Sequence, residues 1–360
     1  MRSKFKNVFR GQTVLVTGDT GFKGSWLAIW LLDLGANVVG FSLPPKTVKD
    51  NFVLCGLSDK IAHIDGDVRK YDRVQTVFSE YQPTIVFHLS AQALVLSSYK
   101  EPLYTYGTNI MGTANVLEAA RHEPCVEAVV NVTSDKCYEN KEWVHSYRET
   151  DPLGGEDPYS ASKAASEIIT QSYTSSFFKN DDSAAIASAR AGNVIGGGDW
   201  AANRIFPDCV RALTDDTAII IRHPNAVRPW QHVIEPLSGY LTLAARLYTD
   251  GVRYSGAWNF GPSTKNMVTV KQLVEEVIKQ WGQGSYAMAD FTDDQKEAGL
   301  LSLDISKAVN SLGWQPVLDL IQTVQLTIEE YKTYNLSAEE VFDQRAGHIY
   351  RYTQLRESLP

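Results

Sequence analysis

Tyr159 and Lys163, in PYSASKAASE, stand four residues apart, so a helix would carry both on one face. A phenol with a pKa near 10 serves as a base at neutral pH only if its anion is stabilised, and lowering it by ~3 units requires about 4 kcal/mol. An ammonium one helical turn away can supply part of that. Upstream, TSDKCYEN sets an acid, Asp135, beside a base, Lys136, directly after an apolar run that reads as a buried strand. Opposite charges there either close the strand end as an ion pair or move protons on a substrate. Near the N-terminus, TVLVTGDTGFKGSWLAIWLL spaces Gly18, Gly21 and Gly24 as G-x-x-G-x-x-G between an apolar strand and a helix. Glycine in that place permits a tight turn and lets backbone N–H groups at the helix N-terminus approach a pyrophosphate.

Regular elements must bring these groups together. Apolar β-branched runs (TVLVTG, ANVVGFS, IAHIDGDV, TIVFHLSA, VEAVVNVTS) alternate with helical patterns that begin at about Ser25, recur near residues 71–80 and form a long helix before VEAVVNVTS. Strands apolar on both faces and separated by helices predict an α/β fold with a doubly wound parallel Rossmann-type sheet. The next helix starts with Asp157 as N-cap and Pro158 at its first position, and a sixth strand follows at residues 183–192. Past Gly192 the Gly- and Pro-rich loops NVIGGGDW and RHPNAVRPWQ break the rhythm, before shorter helices near residues 269–282, 305–312 and 318–333. This change predicts a smaller C-terminal substrate lobe. VIEPLSGYLTLAARLY and AWNFG look again like a helix and strand of the first lobe. The expected division is therefore residues 1–192 plus about 233–261 for the dinucleotide-binding domain, and about 193–232 and 262–360 for the lobe.

Composition narrows the partners. The chain has 360 residues and a formal charge of −8 with no basic stripe, which argues against binding nucleic acid through its phosphates. Its longest apolar stretch, residues 26–32, falls short of the roughly 20 residues a membrane span needs. The start MRSKFKNVFR lacks a signal peptide's apolar core, so a cytoplasmic location is expected. Four widely separated cysteines without metal-ligand spacing point to reduced thiols, with Cys137 filling a strand end rather than acting as a nucleophile. His88, in an apolar strand, reads as a core histidine, and His223 and His232 flank the Arg228 loop without metal spacing.

The second strand should end in an acid that holds an adenosine ribose. GFSLPPK instead places Ser42 there, with Lys46 four residues later, so spacing does not choose between NAD and NADP. Asp67, in IDGDVRK, suits either an adenine amino group or the N-cap of the next helix.

Taken together, the glycine loop, the strand ending in TSDK and the Tyr159/Lys163 helix resemble the extended short-chain dehydrogenase/reductase family over nearly the whole chain. The resemblance implies NAD as a cofactor regenerated within each catalytic cycle. Its expected contacts are Gly18, Gly21, Phe22, Gly24, Asp67, Val68, Leu89, Ala91, Tyr159 and Lys163, with FHLSAQ as the strand beside the nicotinamide ribose. Ser134 matches the family's substrate-aligning Ser or Thr. An acid directly after that position is similar to the sugar-nucleotide 4,6-dehydratases, which usually read Thr-Asp-Glu with Asp as general acid and Glu as general base. Here Lys136 replaces the glutamate. That departure, with GNVIGGGDWAANRIFPD and HPNAVRPWQHVIEPLSGYL, implies a hydro-lyase acting on CDP-glucose.

In that reading Tyr159 takes the 4-hydroxyl proton as hydride leaves carbon 4, a base removes the carbon 5 proton, and Asp135 protonates the departing 6-hydroxyl. Lys136 is either that base, which requires a neutral amine, or a cation stabilising the enolate oxygen. Asn193, Arg204 and Arg228 match positions that contact the nucleotide, and each also has a bland reading as a turn residue, helix-face charge or loop cation. The resemblance further implies a homodimer or higher homo-oligomer, the dimer forming through a four-helix interface with Tyr99 and Lys100 beginning the long helix, and a role in supplying deoxyhexoses for a bacterial surface polysaccharide such as O-antigen. Two other readings compete. A 4-epimerase would need no acid and base at positions 135 and 136, and a non-catalytic dinucleotide sensor would be expected to lose Ser134, Tyr159 or Lys163.

Overall fold

Alternation within each apolar run decides the layers. In Thr13–Thr17 (β1), Val14 and Val16 point to one side and Leu15 to the other, and all three are buried, so both faces of the strand need a cover. The computed structural model describes residues 8–180, 182–263, 266–289, 300–333 and 335–358. Its central sheet has seven parallel strands: β1, Asn37–Ser42 (β2), Ala62–Asp65 (β3), Ile85–His88 (β4), Ala128–Val132 (β5), Ala185–Ala191 (β6) and Gly256–Phe260 (β7). The order is β7-β6-β5-β4-β1-β2-β3. Strand order reverses between β4 and β1, which opens a crevice at their carboxyl ends.

One face of the sheet is covered by Phe22–Asp33 (α1), the opposite face by Tyr71–Tyr81 (α2), Gly112–His122 (α3) and Pro158–Phe177 (α4). Ile205–Thr214 (α5) belongs to the second lobe, while Ile234–Asp250 (α6) returns to the α1 face and leads into β7. The lobe has its own apolar core, in which α5, Val270–Trp281 (α7) and Leu320–Tyr331 (α8) enclose the short strand Ile219–Ile221. No helix among the described residues is long and apolar enough to cross a membrane.

Two expectations need correction. Tyr99 and Lys100 close a short helix, Val95–Lys100, rather than beginning the long one. Glu101 leaves helical geometry and Pro102 restarts the chain as first residue of Pro102–Tyr106, because proline lacks the N–H that a continuous helix would need. From there a π turn, Gly107–Met111, leads into α3. The sequence reading also passed over the 20-residue helix Ala338–Glu357 (α9), which packs on α1 with Tyr352 edge-on to Trp30 at 5.9 Å. Its start was legible: Ser337 and Glu340 form a reciprocal capping box.

A buried carboxylate ties α8 and α9 to the Gly-rich loop after β6. Glu330 accepts from Gly197 N at 2.7 Å, contacts His348 Nδ1 at 2.8 Å and His232 Nε2 at 3.1 Å, and its own carbonyl takes a bond from Arg345 at 2.7 Å. Burial opposes ionisation, but His232, His348 and Arg345 outweigh it and hold the carboxyl well below the usual range. A depressed folded-state value contributes stability that is present above the ordinary glutamate range and lost as pH falls toward the folded value. Replacing Glu330 with Gln should therefore cost about 3 kcal/mol at neutral pH, with the deficit shrinking in acid, as read by denaturant unfolding across pH.

Candidate active site

The crevice predicted by strand order is a cleft of ≈ 1900 Å³, lined from the glycine loop on one side to the second lobe on the other. Every residue assigned to a site from sequence lies along it: Gly18, Gly21, Phe22, Gly24, Asp67, Val68, Leu89, Ala91, Ser134, Asp135, Lys136, Tyr159, Lys163, Asn193, Arg204 and Arg228.

The glycine loop fits a dinucleotide's diphosphate. Gly18 has φ +80°, and a Cβ there would lie 2.8 Å from Ser90 N; a Cβ on Gly24 would lie 2.0 Å from the Gly18 carbonyl oxygen. Gly21, as N-cap of α1, offers no side chain to its amides, and the first turn carries no acid, so the positive end of the helix faces the cleft. The adenosine side is arranged differently from expectation. Ser42 donates to buried Asp19 at 2.9 Å, and Asp19 also contacts His63 at 2.6 Å. Asp19 was not singled out in the sequence, although it lies inside the glycine loop. Asp67 does not cap α2, whose N-cap is Lys70; its carboxylate is gripped by Arg69 through Nε at 2.8 and 3.0 Å and Nη2 at 2.5 Å.

The catalytic candidates gather where β5 ends. Asp157 caps α4 by accepting from Ser160 N at 3.0 Å, with Pro158 in its first turn. The same helix puts Tyr159 and Lys163 against the strand end, both buried. Burial pushes the Tyr159 phenol up to about 12, with the Ser134 side chain pulling against it. The expected help from Lys163 takes a different form: burial lowers its amine to about 8, Glu167 opposes that, and Nζ donates to the Val132 carbonyl at 3.3 Å.

Asp135 and Lys136 form no ion pair, which removes the strand-end pairing as an explanation. Instead Asp135 is buried, accepts from Ser134 Oγ at 3.0 Å, and packs so tightly on Gly192 that a Cβ there would lie 2.7 Å from its oxygen. Burial raises its pKa above the usual carboxylate value despite Lys136, Ser134, Lys23 and Arg228 nearby. A proton is therefore retained on Asp135 at higher pH than on an exposed aspartate. Lys136 is half-buried beside it, in a short turn that Ser134 caps.

Cations line the far wall. Arg228, in a short strand antiparallel to Met267–Thr269, is buried. Arg204 is the N-cap of α5 and pairs with Asp199 at 2.7 Å. Cys137 is fully buried and its thiol is pushed well up by burial, so it is no nucleophile. His88 is enclosed by Thr17 at 2.7 Å and Thr113 at 3.2 Å. Among the described residues no cluster of His, Cys, Asp or Glu could hold a metal ion.

Sequence reasoning missed Glu167, buried one turn beyond Lys163, and its partner Arg190 at 2.8 Å. The signal was there for Glu167, since it continues the spacing of four from Tyr159 through Lys163. It also missed Lys23 in the glycine loop.

The chain is similar to known proteins over nearly its whole length. The family model described as GDP-mannose 4,6 dehydratase matches residues 15–327. A CDP-glucose 4,6-dehydratase from Salmonella typhimurium is 45% identical over 333 residues, covering 91% of this chain and 93% of that protein. A dTDP-glucose 4,6-dehydratase from Streptomyces antibioticus is 27% identical over 347 residues, covering 93% and 96%. Among solved structures, dTDP-glucose 4,6-dehydratase from Streptomyces venezuelae, with NAD and TYD bound, superposes with a TM-score of 0.77 at 23% identity, covering 89% and 97% of the two chains.

Proposed function

We propose that this chain, which belongs to the GDP-mannose 4,6 dehydratase family, is a hydro-lyase that converts CDP-D-glucose into CDP-4-dehydro-6-deoxy-D-glucose. The observation that carries this reading is Asp135: a buried carboxyl biased toward its acid form, in the same cleft as Tyr159 and Lys163. An epimerase that only oxidises and reduces carbon 4 has no use for it. The identity of 45% along nearly the full length of the Salmonella CDP-glucose enzyme supports the cytidine nucleotide.

NAD, when bound along the glycine loop, supplies the oxidant for carbon 4 and the hydride that returns to carbon 6. Tyr159 takes the proton of the 4-hydroxyl. Its burial works against the phenolate, while the Ser134 side chain and the charge of Arg204 work for it, with Lys163 one turn along the same helix. Ser134 holds the sugar hydroxyl beside the phenol. Once carbon 4 is a ketone the carbon 5 proton is acidic; Lys136 removes it while Asp135 gives its proton to the leaving 6-hydroxyl. Asn193, Arg204 and Arg228 hold the nucleotide, the guanidinium forks suiting its diphosphate. The enzyme acts in the cytoplasm, and its product supplies deoxyhexose units of surface polysaccharides such as O-antigen.

The proposed second copy packs on the face where residues 102–122 meet α4, because that face exposes Leu103, Met111 and Ile168. Sedimentation velocity at micromolar concentration should give a dimer, and Ile168→Lys should shift it toward monomer; a wild-type monomer would count against this interface.

The reaction is tested by incubating CDP-, dTDP-, GDP- and UDP-glucose in parallel with NAD and identifying products by mass and NMR. The expected outcome is a 4-keto-6-deoxy sugar from CDP-glucose alone. Inversion at carbon 4 without loss of water would instead make the protein an epimerase. For the base, Lys136→Ala in deuterated water should lose exchange at carbon 5 by about 10²–10⁴-fold, and undiminished exchange would assign the step to another group.

A further inference from the structure

Asp208 and Arg222 border the cleft in the second lobe and take no part in the chemistry above. Asp208 lies in the first turn of α5, one turn beyond Arg204, whose carbonyl accepts from the Asp208 amide at 3.0 Å. Arg222 directly follows the short strand Ile219–Ile221. Each side chain keeps 34% of its surface accessible. Their charges are opposite, yet they form no closed pair: Arg222 Nη2 and Asp208 Oδ2 stand 3.9 Å apart, beyond hydrogen-bond reach.

Other partners hold the two apart. Arg211, one turn along α5, donates to Asp208 Oδ1. Arg222 donates through Nη2 to the Asn203 carbonyl at 3.2 Å and through Nη1 to Asn203 Oδ1 at 3.4 Å. Asn203 has φ +63°, a left-handed conformation that asparagine enters more readily than most residues. Asp208 Oδ2 therefore accepts no hydrogen bond from any described residue, and the Arg222 fork keeps N–H groups to spare. An exposed ion pair contributes little to stability even when closed. One held open keeps an acceptor and a donor side by side for something else.

The wall beside them is apolar. Along the short strand Ile219 and Ile221 enter the core of the lobe, while Ile220 between them is 53% exposed and lines the same cleft. An apolar surface with a few fixed polar groups at its margin is the usual make-up of a site for a flat ring. Arg204, on the turn before Asp208, acts electrostatically on Tyr159 and so marks the catalytic side of α5.

We propose that Asp208 and Arg222 read the edge of the substrate's base and select cytosine. This rests on the reading of the cleft as a site for a cytidine nucleotide, and it names the residues that make the choice. Cytosine carries a 4-amino donor beside the N3 and O2 acceptors. Asp208 Oδ2 accepts from the amine, Arg222 donates to the neighbouring acceptor, and Ile220 packs on the ring. Uracil and thymine reverse both positions. Their 4-keto oxygen would face the carboxylate and their N3–H the guanidinium, leaving each protein group desolvated without a partner. Selection thus comes from repulsion of the wrong base as much as from attraction of the right one.

The test measures the affinities of CDP and UDP by calorimetry for the full-length wild type and its Asp208→Asn and Arg222→Met variants, with thermal unfolding confirming that each variant is folded. The wild type should prefer CDP. Asparagine offers an N–H to a 4-keto oxygen as well as a carbonyl to an amine, so Asp208→Asn should narrow the CDP-to-UDP preference by roughly ten- to a hundredfold. Arg222→Met should narrow it as well, through weaker binding of CDP. A purely structural role for either residue would weaken both nucleotides alike. An unchanged ratio removes that residue from the assignment, and an unchanged ratio in both variants, or a wild type that binds CDP no better than UDP, overturns the proposal. Should the variants fail to fold, the wild type is titrated with the diphosphate of pyrimidin-2-one ribonucleoside, which lacks only the 4-amino group: a loss of tenfold or more relative to CDP supports the assignment, and equal affinity overturns it. Preference for CDP without dehydration of CDP-glucose would refute the proposed reaction and leave the base assignment standing.

Discussion

One buried ion pair fixes the distance between the helix that carries Tyr159 and the strand end that carries Asp135. Glu167, two turns beyond Tyr159 on α4, meets Arg190 of β6 at 2.8 Å, and both are almost out of water. Two charges so placed cost several kcal/mol each to desolvate, so the pair is a weak source of stability and a strong source of position. The rest of the carboxylate's capacity is taken by Ser188 at 2.6 Å and by Thr133, the residue before Ser134. Arg190 in turn donates to Tyr138, just past the Asp135 turn, at 2.7 Å. A slip of α4 by one residue would strand both charges. Because Tyr159, Lys163 and Glu167 share a face, locking Glu167 locks the other two relative to Ser134 and Asp135.

What that rigid frame holds is a set of groups pushed away from their charged forms. Burial is the first cause in every case: it raises Asp135 and Tyr159 and lowers Lys163 and Lys23. A cleft of this kind suits a reaction in which protons pass between neighbours, because neutral donors and acceptors need little reorganisation of water. It also suits a ligand that brings its own negative charge, since a phosphate beside these amines favours their charged form.

The parts of this arrangement that were legible in the sequence are those governed by local pattern. Continuous apolar, β-branched runs gave β1 through β6, glycine spacing gave the loop, and Asp157 with Pro158 gave the start of α4. Function followed because the residue types at positions 134, 135, 136, 159 and 163 recur in a recognisable order. What was not legible depends on partners far apart in the chain. Glu167 continues the spacing of Tyr159 and Lys163, but nothing local marks Arg190 as the partner that lets it be buried, and Gly192 looks like a strand terminator until Asp135 fills the space of its missing side chain. α9 escaped notice because its buried face includes Arg345 and His348, polar residues that can be inside only because Glu330 of α8 is there to receive them. The misplaced helix start at Tyr99 had a local cause that was readable, the proline at position 102.

Replacing the usual glutamate base by Lys136 changes the proton inventory of the proposed reaction. The proposed base role requires Lys136 to enter the step as a free amine; elimination, with the proton of Asp135 passing to the leaving hydroxyl, then leaves carboxylate and ammonium, whose attraction in a medium of low dielectric favours that step. Lys136 then discharges its proton to carbon 5 as hydride returns to carbon 6. Two groups are not yet reset, for Tyr159 holds the proton taken from the 4-hydroxyl and Asp135 lacks the one given to water. The imbalance is a single proton, and it must travel from phenol to carboxylate before the next turnover. Ser134 stands between them: its hydroxyl donates to Asp135 at 3.0 Å and its side chain acts on the Tyr159 phenol. A hydroxyl both donates and accepts, so in the proposed cycle the residue that aligns the sugar also closes the proton circuit, a task that a side chain of the same size without the hydroxyl would leave to solvent.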